Sequence, residues 1–375
     1  MERIAVLGTG LVGGQIARDL ATDPGLGVVA VDRSAGSLSK LAGVPRVETR
    51  VADLTNDEEI RAVVREVDAV ALAVPGFLGR RVLQAVLEAG RPVADISFSP
   101  EDPLELDGLA RSAGVAAVVD CGVAPGLSNL FAGRSAAELD ELDSVLILVG
   151  GLPLRRVWPY EYRIVFSLTD VIEEYLRPCR YRENGAEVVR PALSEVEVVL
   201  LPKVGTLEAF NTDGLRTLLR TLPARTLKEK TLRYPGHADR MRMLRETGFF
   251  EEKPVLVDGI EVVPRTLTEK LLGDAWRLPE GEEEITVLRV VVEGRKGGRI
   301  RRTTWDLYDR TDLRTGSTSM ARTTGFPCAI VARMLAHGTW ARPGVYAPEI
   351  LGADAKATEL ILGQLAERGI EVRAE

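Results

Sequence analysis

Apolar positions follow two regimes along the chain. Up to about residue 120, short apolar runs alternate with segments whose apolar residues recur at three- and four-residue spacing. The runs at 4–7, 27–31, 46–51, 69–74, 92–97 and 115–119 read as strands, and helices are expected from 11, over 34–41, 56–64 and 78–89, and through about 112. Apolar runs without polar alternation, such as AVALAV at 69–74, suit strands covered on both faces. Strands joined through helices by short connections predict a doubly wound parallel sheet. Beyond residue 121 the strand candidates lengthen and alternate, at 144–149, 196–201, 284–294 and 300–308. The last two flank Gly297 and Gly298 and read as an antiparallel hairpin. Helical spacing returns at 327–336 and 359–367, and a helix is also expected over 238–247.

The fold class predicted is α/β, with a parallel sheet formed by residues 1–120 and 325–375 and an inserted mixed α+β domain over 121–324. A chain of 375 residues is long enough for two cores. A net charge of −7 argues against a nucleic-acid surface and for a small-molecule partner. Cys121, Cys179 and Cys328 are too few and too scattered for a disulfide framework or a CxxC site, and His237 and His337 are the only histidines, so no metal is expected. The first strand follows Met1 directly and no apolar run approaches membrane-spanning length, so a cytoplasmic location is expected.

The turn Gly8-Thr9-Gly10-Leu11-Val12-Gly13 joins a strand to a helix. Its glycines permit chain reversal, backbone approach to a pyrophosphate and close helix–strand packing, the Rossmann-type fingerprint for a dinucleotide. Asp32, at the end of the second strand, stands where a carboxylate accepts from the adenosine ribose. It favours NAD, and Arg33 beside it leaves NADP open. Asp53 and Leu54, after the third strand, are candidates for the adenine end, with a helix-capping role equally open for Asp53. Ala73, Val74 and Pro75 close the fourth strand, Ser97 and Phe98 the fifth. The loop Asp120-Cys121-Gly122-Val123-Ala124-Pro125-Gly126 offers backbone amides to a ligand. Cys121 lacks a neighbouring base and reads as a buried thiol. Asp120 is a candidate for proton chemistry, with a loop cap as its alternative. Further on, Glu208, Asn211 and Thr212 are followed by Arg233, suited to capturing a carboxylate, and by His237, an acid–base candidate.

The phrases GTGLVGG (8–14), DCGVAPGLSNLFAG (120–133), VGGLP (149–153), LSEVE (193–197), LEAFNTDG (207–214), TLRYPGH (231–237) and ARTTGFP (321–327) resemble the saccharopine dehydrogenase family, and within it the lysine 6-dehydrogenase branch. The resemblance implies a substrate-binding and dimerising inserted domain, a homodimer, and NAD-dependent oxidative deamination of the L-lysine side chain to allysine and ammonia. The mechanism expected on this reading puts a nicotinamide between Ala73–Pro75 and Gly122–Pro125 and a substrate carboxylate on Arg233 aided by Asn211 and Thr212, with Phe98 also at the substrate. Asp120 or Glu208 would guide the proton, with Lys203 and His237 in reserve. Saccharopine reductases commonly carry an arginine near residues 165–169, where this chain has Thr169, which favours a substrate with one carboxylate. The alternatives are a saccharopine-type oxidoreductase on a related amino acid and a non-catalytic NAD-binding redox sensor.

Overall fold

A computed structural model describes all 375 residues. The first apolar run forms β1 (Glu2–Leu7), and the chain turns at Gly8 into α1 (Leu11–Leu20). There follow β2 (Leu26–Asp32), α2 (Ala35–Ser39), β3 (Val47–Val51), α3 (Asp57–Val64), β4 (Ala69–Leu72), α4 (Gly76–Glu88), β5 (Val93–Asp95), α5 (Asp107–Ala113) and β6 (Ala116–Val118). The six strands and a seventh, Gly344–Tyr346, form one parallel sheet, in the order Gly344–Tyr346, β6, β5, β4, β1, β2, β3. The order reverses between β1 and β4, where a crevice opens beyond the carboxyl ends of the strands. At that point only glycine fits. Gly8 has φ +92°, and a Cβ there would run into the Ala73 carbonyl, while one on Gly13 would run into the Gly8 carbonyl.

The second sheet is mixed. After α6 (Leu127–Ala136) come β7 (Glu141–Pro153), α7 (Leu168–Leu176), β8 (Cys179–Glu183), β9 (Ala186–Arg190), β10 (Glu197–Leu201), β11 (Gly205–Asn211), α8 (Leu218–Thr221), β12 (Thr226–Arg233) and α9 (His237–Thr247). A small hairpin, β13 (Val255–Val257) and β14 (Ile260–Val262), precedes α10 (Pro264–Ala275) and the long hairpin of β15 (Glu284–Lys296) and β16 (Arg299–Arg310). The chain ends with α11 (Ser319–Ala336), β17 (Gly344–Tyr346), α12 (Pro348–Ala353), α13 (Ala355–Glu367) and β18 (Val372–Ala374). The strand order is β10, β11, β12, β7, β15, β16, β18, with β8 also on β12 and β9 on β8. Only β12 and β7 run parallel; the other pairs are antiparallel. β17 joins the first sheet and β18 the second, so residues 325–375 divide between the sheets instead of returning whole to the first.

The helix expected at 327–336 begins at Ser319. Thr318 caps it by accepting from the Ala321 amide, and Pro327 lies inside it. Apolar spacing missed this first half because its buried polar residues are satisfied across the fold: Ser319 bonds Thr286 and Asp309, and Arg322 pairs with Asp309. α11 packs on α1, β4 and β5 and also on β15. The largest apolar cluster accordingly joins Ile4 and Ala94 of the first sheet, Ile147 and Val290 of the second, and Phe326 and Ile330 of α11. No helix is long and apolar enough to cross a membrane.

α6 and α12 cross on two glycines. A Cβ on Gly133 would strike the Glu349 carbonyl, and one on Gly352 the Leu130 carbonyl. Gly133→Ala should therefore cost about 1–3 kcal/mol or more in urea unfolding. Gly363→Ala on α13, where nothing lies within 4 Å, should gain up to about 1 kcal/mol from helix propensity. Equal midpoints for the two variants would refute this account of the crossing.

Candidate active site

A cleft of about 510 Å³ runs from the β1–α1 turn, past the end of β4, to the face of the second sheet. That volume suits a small-molecule site. Gly8, Gly10 and Gly13 line it with Leu11 and Val12 at the start of α1. A Cβ on Gly10 would meet nothing within 4 Å, so backbone lies open to the cleft where a pyrophosphate would face the helix N-terminus. Asp32 and Arg33 line the cleft at the end of β2. The Asp32 carboxylate accepts from the Thr9 amide at 2.7 Å, the Thr9 hydroxyl at 3.1 Å and the Ser34 amide at 2.8 Å. Ala73, Val74 and Pro75 face Gly122, Val123, Ala124 and Pro125 across it. The latter loop is closed by the Gly122 amide on the Pro125 carbonyl at 3.1 Å. These residues fit a dinucleotide, which when bound would supply the hydride acceptor.

The opposite wall comes from β12 and α7. Strand alternation brings Glu229, Thr231 and Arg233 to one face of β12, and the helical repeat brings Asp170, Glu173, Glu174 and Arg177 to one side of α7. Glu229 accepts from the Thr212 hydroxyl at 2.7 Å and the Gly214 amide at 3.2 Å, and Thr212 is 2.8 Å from the Thr231 hydroxyl. Burial pushes the Glu229 carboxyl up to about 8, with the charges of Glu174 and Asp213 adding to it. Arg233 is 2% exposed. Its guanidinium donates to the Leu232 carbonyl at 3.0 Å and to Glu174 at 3.1 Å, and lies 4.7 Å from the Tyr162 ring centre. Burial also pushes Glu174 up to about 7, against the pull of Arg233.

A glycine cradle at the first sheet's switch point, continuous with a charged pocket on the second sheet, is the arrangement of a dinucleotide-dependent enzyme. Residues 4–118 match the saccharopine dehydrogenase NADP binding domain, and residues 122–370 match the saccharopine dehydrogenase C-terminal domain. The chain belongs to the saccharopine dehydrogenase family. It is 23% identical to the saccharopine dehydrogenase (NADP(+), L-glutamate-forming) of Pyricularia oryzae, over 99% of this chain and 98% of that one. It is 24% identical to the carboxynorspermidine synthase of Vibrio cholerae, over 82% and 79%. Its fold is similar to that of apo saccharopine dehydrogenase (L-Glu forming) from Saccharomyces cerevisiae, with a TM-score of 0.81, 20% identity and coverage of 100% and 99%. As a member of this family the protein is an NAD(P)-dependent oxidoreductase acting on CH–NH groups.

Within this family framework several residues singled out from sequence lie outside the cleft. Asp120 is buried in an ion pair with Arg216, whose Nη2 is 3.2 Å away, so its charge is already matched. Glu208 accepts from the Gly236 and Ala238 amides at 2.7 and 2.6 Å and caps the start of α9. His237 is buried among Tyr162, Tyr175 and Trp276, and burial together with Arg233 lowers it to about 3, so it stays neutral. Lys203 is exposed over the Tyr308 ring. Asn211 is fully buried on Ser194. Asp53 closes a turn with Thr55, and Leu54 is in the first domain's core. Ser97 is buried with its amide on Asp95. Thr169 is exposed on α7, whereas its neighbour Asp170 lines the cleft. Phe98, Thr212 and Arg233 do line it.

Glu174 and Glu229 were missed. Glu229 stands in TLKEKTLR, and its signal was a charge placed two residues from Thr231 and four from Arg233 on the same strand face. The free-thiol reading of Cys121 holds: it is buried, and burial raises it well above the ordinary thiol range.

Proposed function

We propose that the protein oxidatively deaminates the ε-amino group of L-lysine with NAD. Lysine, NAD⁺ and water give allysine, ammonium, NADH and a proton, and allysine then cyclises to a piperideine carboxylate. One observation carries the reading: the substrate wall holds five carboxylates, Asp170, Glu173, Glu174, Asp213 and Glu229, against two arginines, Arg177 and Arg233. Lysine brings two ammonium groups and one carboxylate to such a wall. Saccharopine, with three carboxylates, would find only Arg233 for them, because Arg177 and Arg180 are already paired with Glu173 and Asp213. Asp32 supports NAD, because a ribose 2′-phosphate would stand against its carboxylate.

In this reading Arg233 holds the substrate carboxylate, and Phe98 and Thr212 complete the pocket. Glu229 takes the proton that the ε-ammonium, with an ordinary value of about 10.4, must lose before oxidation. An acid raised to about 8 is neutral below that pH and becomes an acceptor above it, so turnover increases as pH rises through about 8. The iminium formed is hydrolysed by water. A homodimer belongs to the same proposal. Its support is the isolated hairpin β13–β14, which exposes Val255, Leu256, Val257 and Ile260, beside α10, which exposes Leu267 and Leu271. Two strands alone are marginal in water, and a second copy would cover them.

Purified protein should form NADH from L-lysine without 2-oxoglutarate, with kcat/KM for NAD exceeding that for NADP. NADH formation from saccharopine alone would falsify the lysine reading, and no turnover with intact NAD binding would leave a sensor. Glu229→Gln keeps the bonds to Thr212 and Gly214 and should lower kcat about 10²–10⁴-fold while removing the rise near pH 8. An unchanged pH profile would exclude Glu229. Light scattering should give a dimer, and the Leu256→Glu/Leu271→Glu double variant a monomer. A monomeric wild type would end the dimer proposal.

A further inference from the structure

The only arginine buried in the cleft wall meets a carboxylate there. Arg233 Nη2 and Glu174 Oε2 are 3.1 Å apart, and both residues line the cleft. Each keeps unused capacity. Arg233 Nε is buried with no hydrogen-bond partner, and buried donors in native sites are rarely left so. Glu174 Oε1 has no hydrogen bond or ion pair, and the side chain is 23% exposed. The neighbouring acids are engaged otherwise. Glu173 pairs with Arg177 at 3.0 Å and Arg265 at 2.7 Å, Asp213 with Arg180 at 2.9 Å, and Glu229 holds Thr212 and Gly214. Asp170 has no cation within ion-pair reach, but it lies one helical turn before Glu174 and makes no hydrogen bond or ion pair with Arg233.

We infer that Glu174 binds the α-ammonium of the substrate, so that the Arg233–Glu174 pair forms a subsite for the zwitterionic head of a free α-amino acid. This rests on the lysine reading and adds the recognition of the end of the molecule that does not react. A carboxylate and an ammonium on one carbon present opposite charges a few ångströms apart, and the pair presents the complementary two at 3.1 Å. The substrate carboxylate supplies the acceptor that Arg233 Nε lacks, and the ammonium takes the free Glu174 oxygen.

The pair is held for this task from both sides. The Arg233 guanidinium rests on Tyr162, and Nη1 is fixed on the Leu232 carbonyl. Tyr175, next to Glu174 on α7, is 2.9 Å from His237 Nε2, and His237 Nδ1 is 3.2 Å from the Tyr160 carbonyl. A neutral His237 thus donates from Nδ1 and accepts the Tyr175 hydroxyl, which locks this turn of α7 against the start of α9. Glu229 and Arg233 are four residues apart on one strand, about 13 Å by strand rise. Both residues line the one cleft, so in this proposal a chain anchored by its head at Arg233 and Glu174 extends along it toward Glu229. An amine lacking either head-group charge leaves one member of the pair unmatched.

The test compares L-lysine with 6-aminohexanoate, which lacks the α-amine, and with Nα-acetyl-L-lysine, which masks it. Wild type should favour L-lysine over both by at least 100-fold in kcat/KM. Glu174→Gln should compress that ratio below 10-fold, mainly through a raised KM for lysine, with Glu174→Asp partly restoring the preference. A wild type that oxidises L-lysine while Glu174→Gln keeps the full ratio overturns the subsite and leaves the lysine function standing. A wild type that oxidises no lysine overturns both. Should the variants not fold, calorimetry on the wild type with NADH decides: equal affinity for lysine and 6-aminohexanoate refutes the subsite, and at least 30-fold weaker binding of 6-aminohexanoate supports it.

Discussion

Two buried ion pairs on α11 fasten the molecule together. Near its start Arg322 is 3.1 Å from Asp309 of β16, and near its end Arg333 is 2.6 Å from Asp19 of α1. Each pair belongs to a small network, since Asp19 is also 2.7 Å from Arg368 and Arg322 is 3.7 Å from Asp312, and breaking a buried pair costs up to about 3–5 kcal/mol where no second partner compensates. The helix between them carries Phe326 and Ile330 into the apolar cluster shared by both sheets and sets Met320 and Thr324 into the floor of the cleft. The two cleft walls thus have a common support. α11 is bonded to α1, which follows the glycine turn, and to β16 of the second sheet, so the two sheets that carry the cleft walls are held at a fixed separation.

That rigidity explains how neighbouring acids come to behave differently. Glu173 and Glu174 are adjacent on α7, and burial raises both. Arg265 and Arg177 together overcome it at Glu173, which is held below the ordinary carboxylate range, while at Glu174 the pull of Arg233 and Arg177, opposed by Asp170, does not, and the carboxyl rises to about 7. Glu229 has hydroxyl and amide donors but no cation, and rises to about 8. The first is a structural ion pair. At neutral pH Glu229 is mostly protonated and Glu174 about half ionised, in a cleft open to a ligand, the environment in which acid–base and binding groups are found.

What the sequence made legible follows from how each feature is encoded. The parallel sheet and the glycine turn are local: apolar runs of four to six residues, and glycines whose missing Cβ is required within the same turn. Arg233 was legible as a side-chain type beside a strand end. The roles of Asp120, Glu208 and His237 were not, because each is decided by a partner distant in sequence, Arg216 for Asp120, the α9 amides for Glu208 and Tyr175 for His237. The first half of α11 was hidden for the same reason. A polar residue buried against a remote partner breaks apolar periodicity without leaving the core, and no spacing rule identifies the partner.

The two walls also differ in the kind of group they use. The cofactor wall is mostly backbone and small residues, and its geometry depends on Gly8 and Gly13 packing where a side chain would collide. The opposite wall is side chains on regular elements, Glu229, Thr231 and Arg233 on β12 and Asp170, Glu173 and Glu174 on α7, with Arg177 just past its end. A substitution on the second wall alters charge without disturbing the strands and helices that carry it, whereas a substitution at the turn alters the packing itself. The fold can therefore keep one dinucleotide site while its substrate pocket changes sign or reach. Relatives that share about 23% of their residues over nearly the whole chain are compatible with that division. The carboxylates and arginines on β12 and α7 are therefore the part of the cleft free to vary, and in this chain its one buried arginine, Arg233, is paired with Glu174.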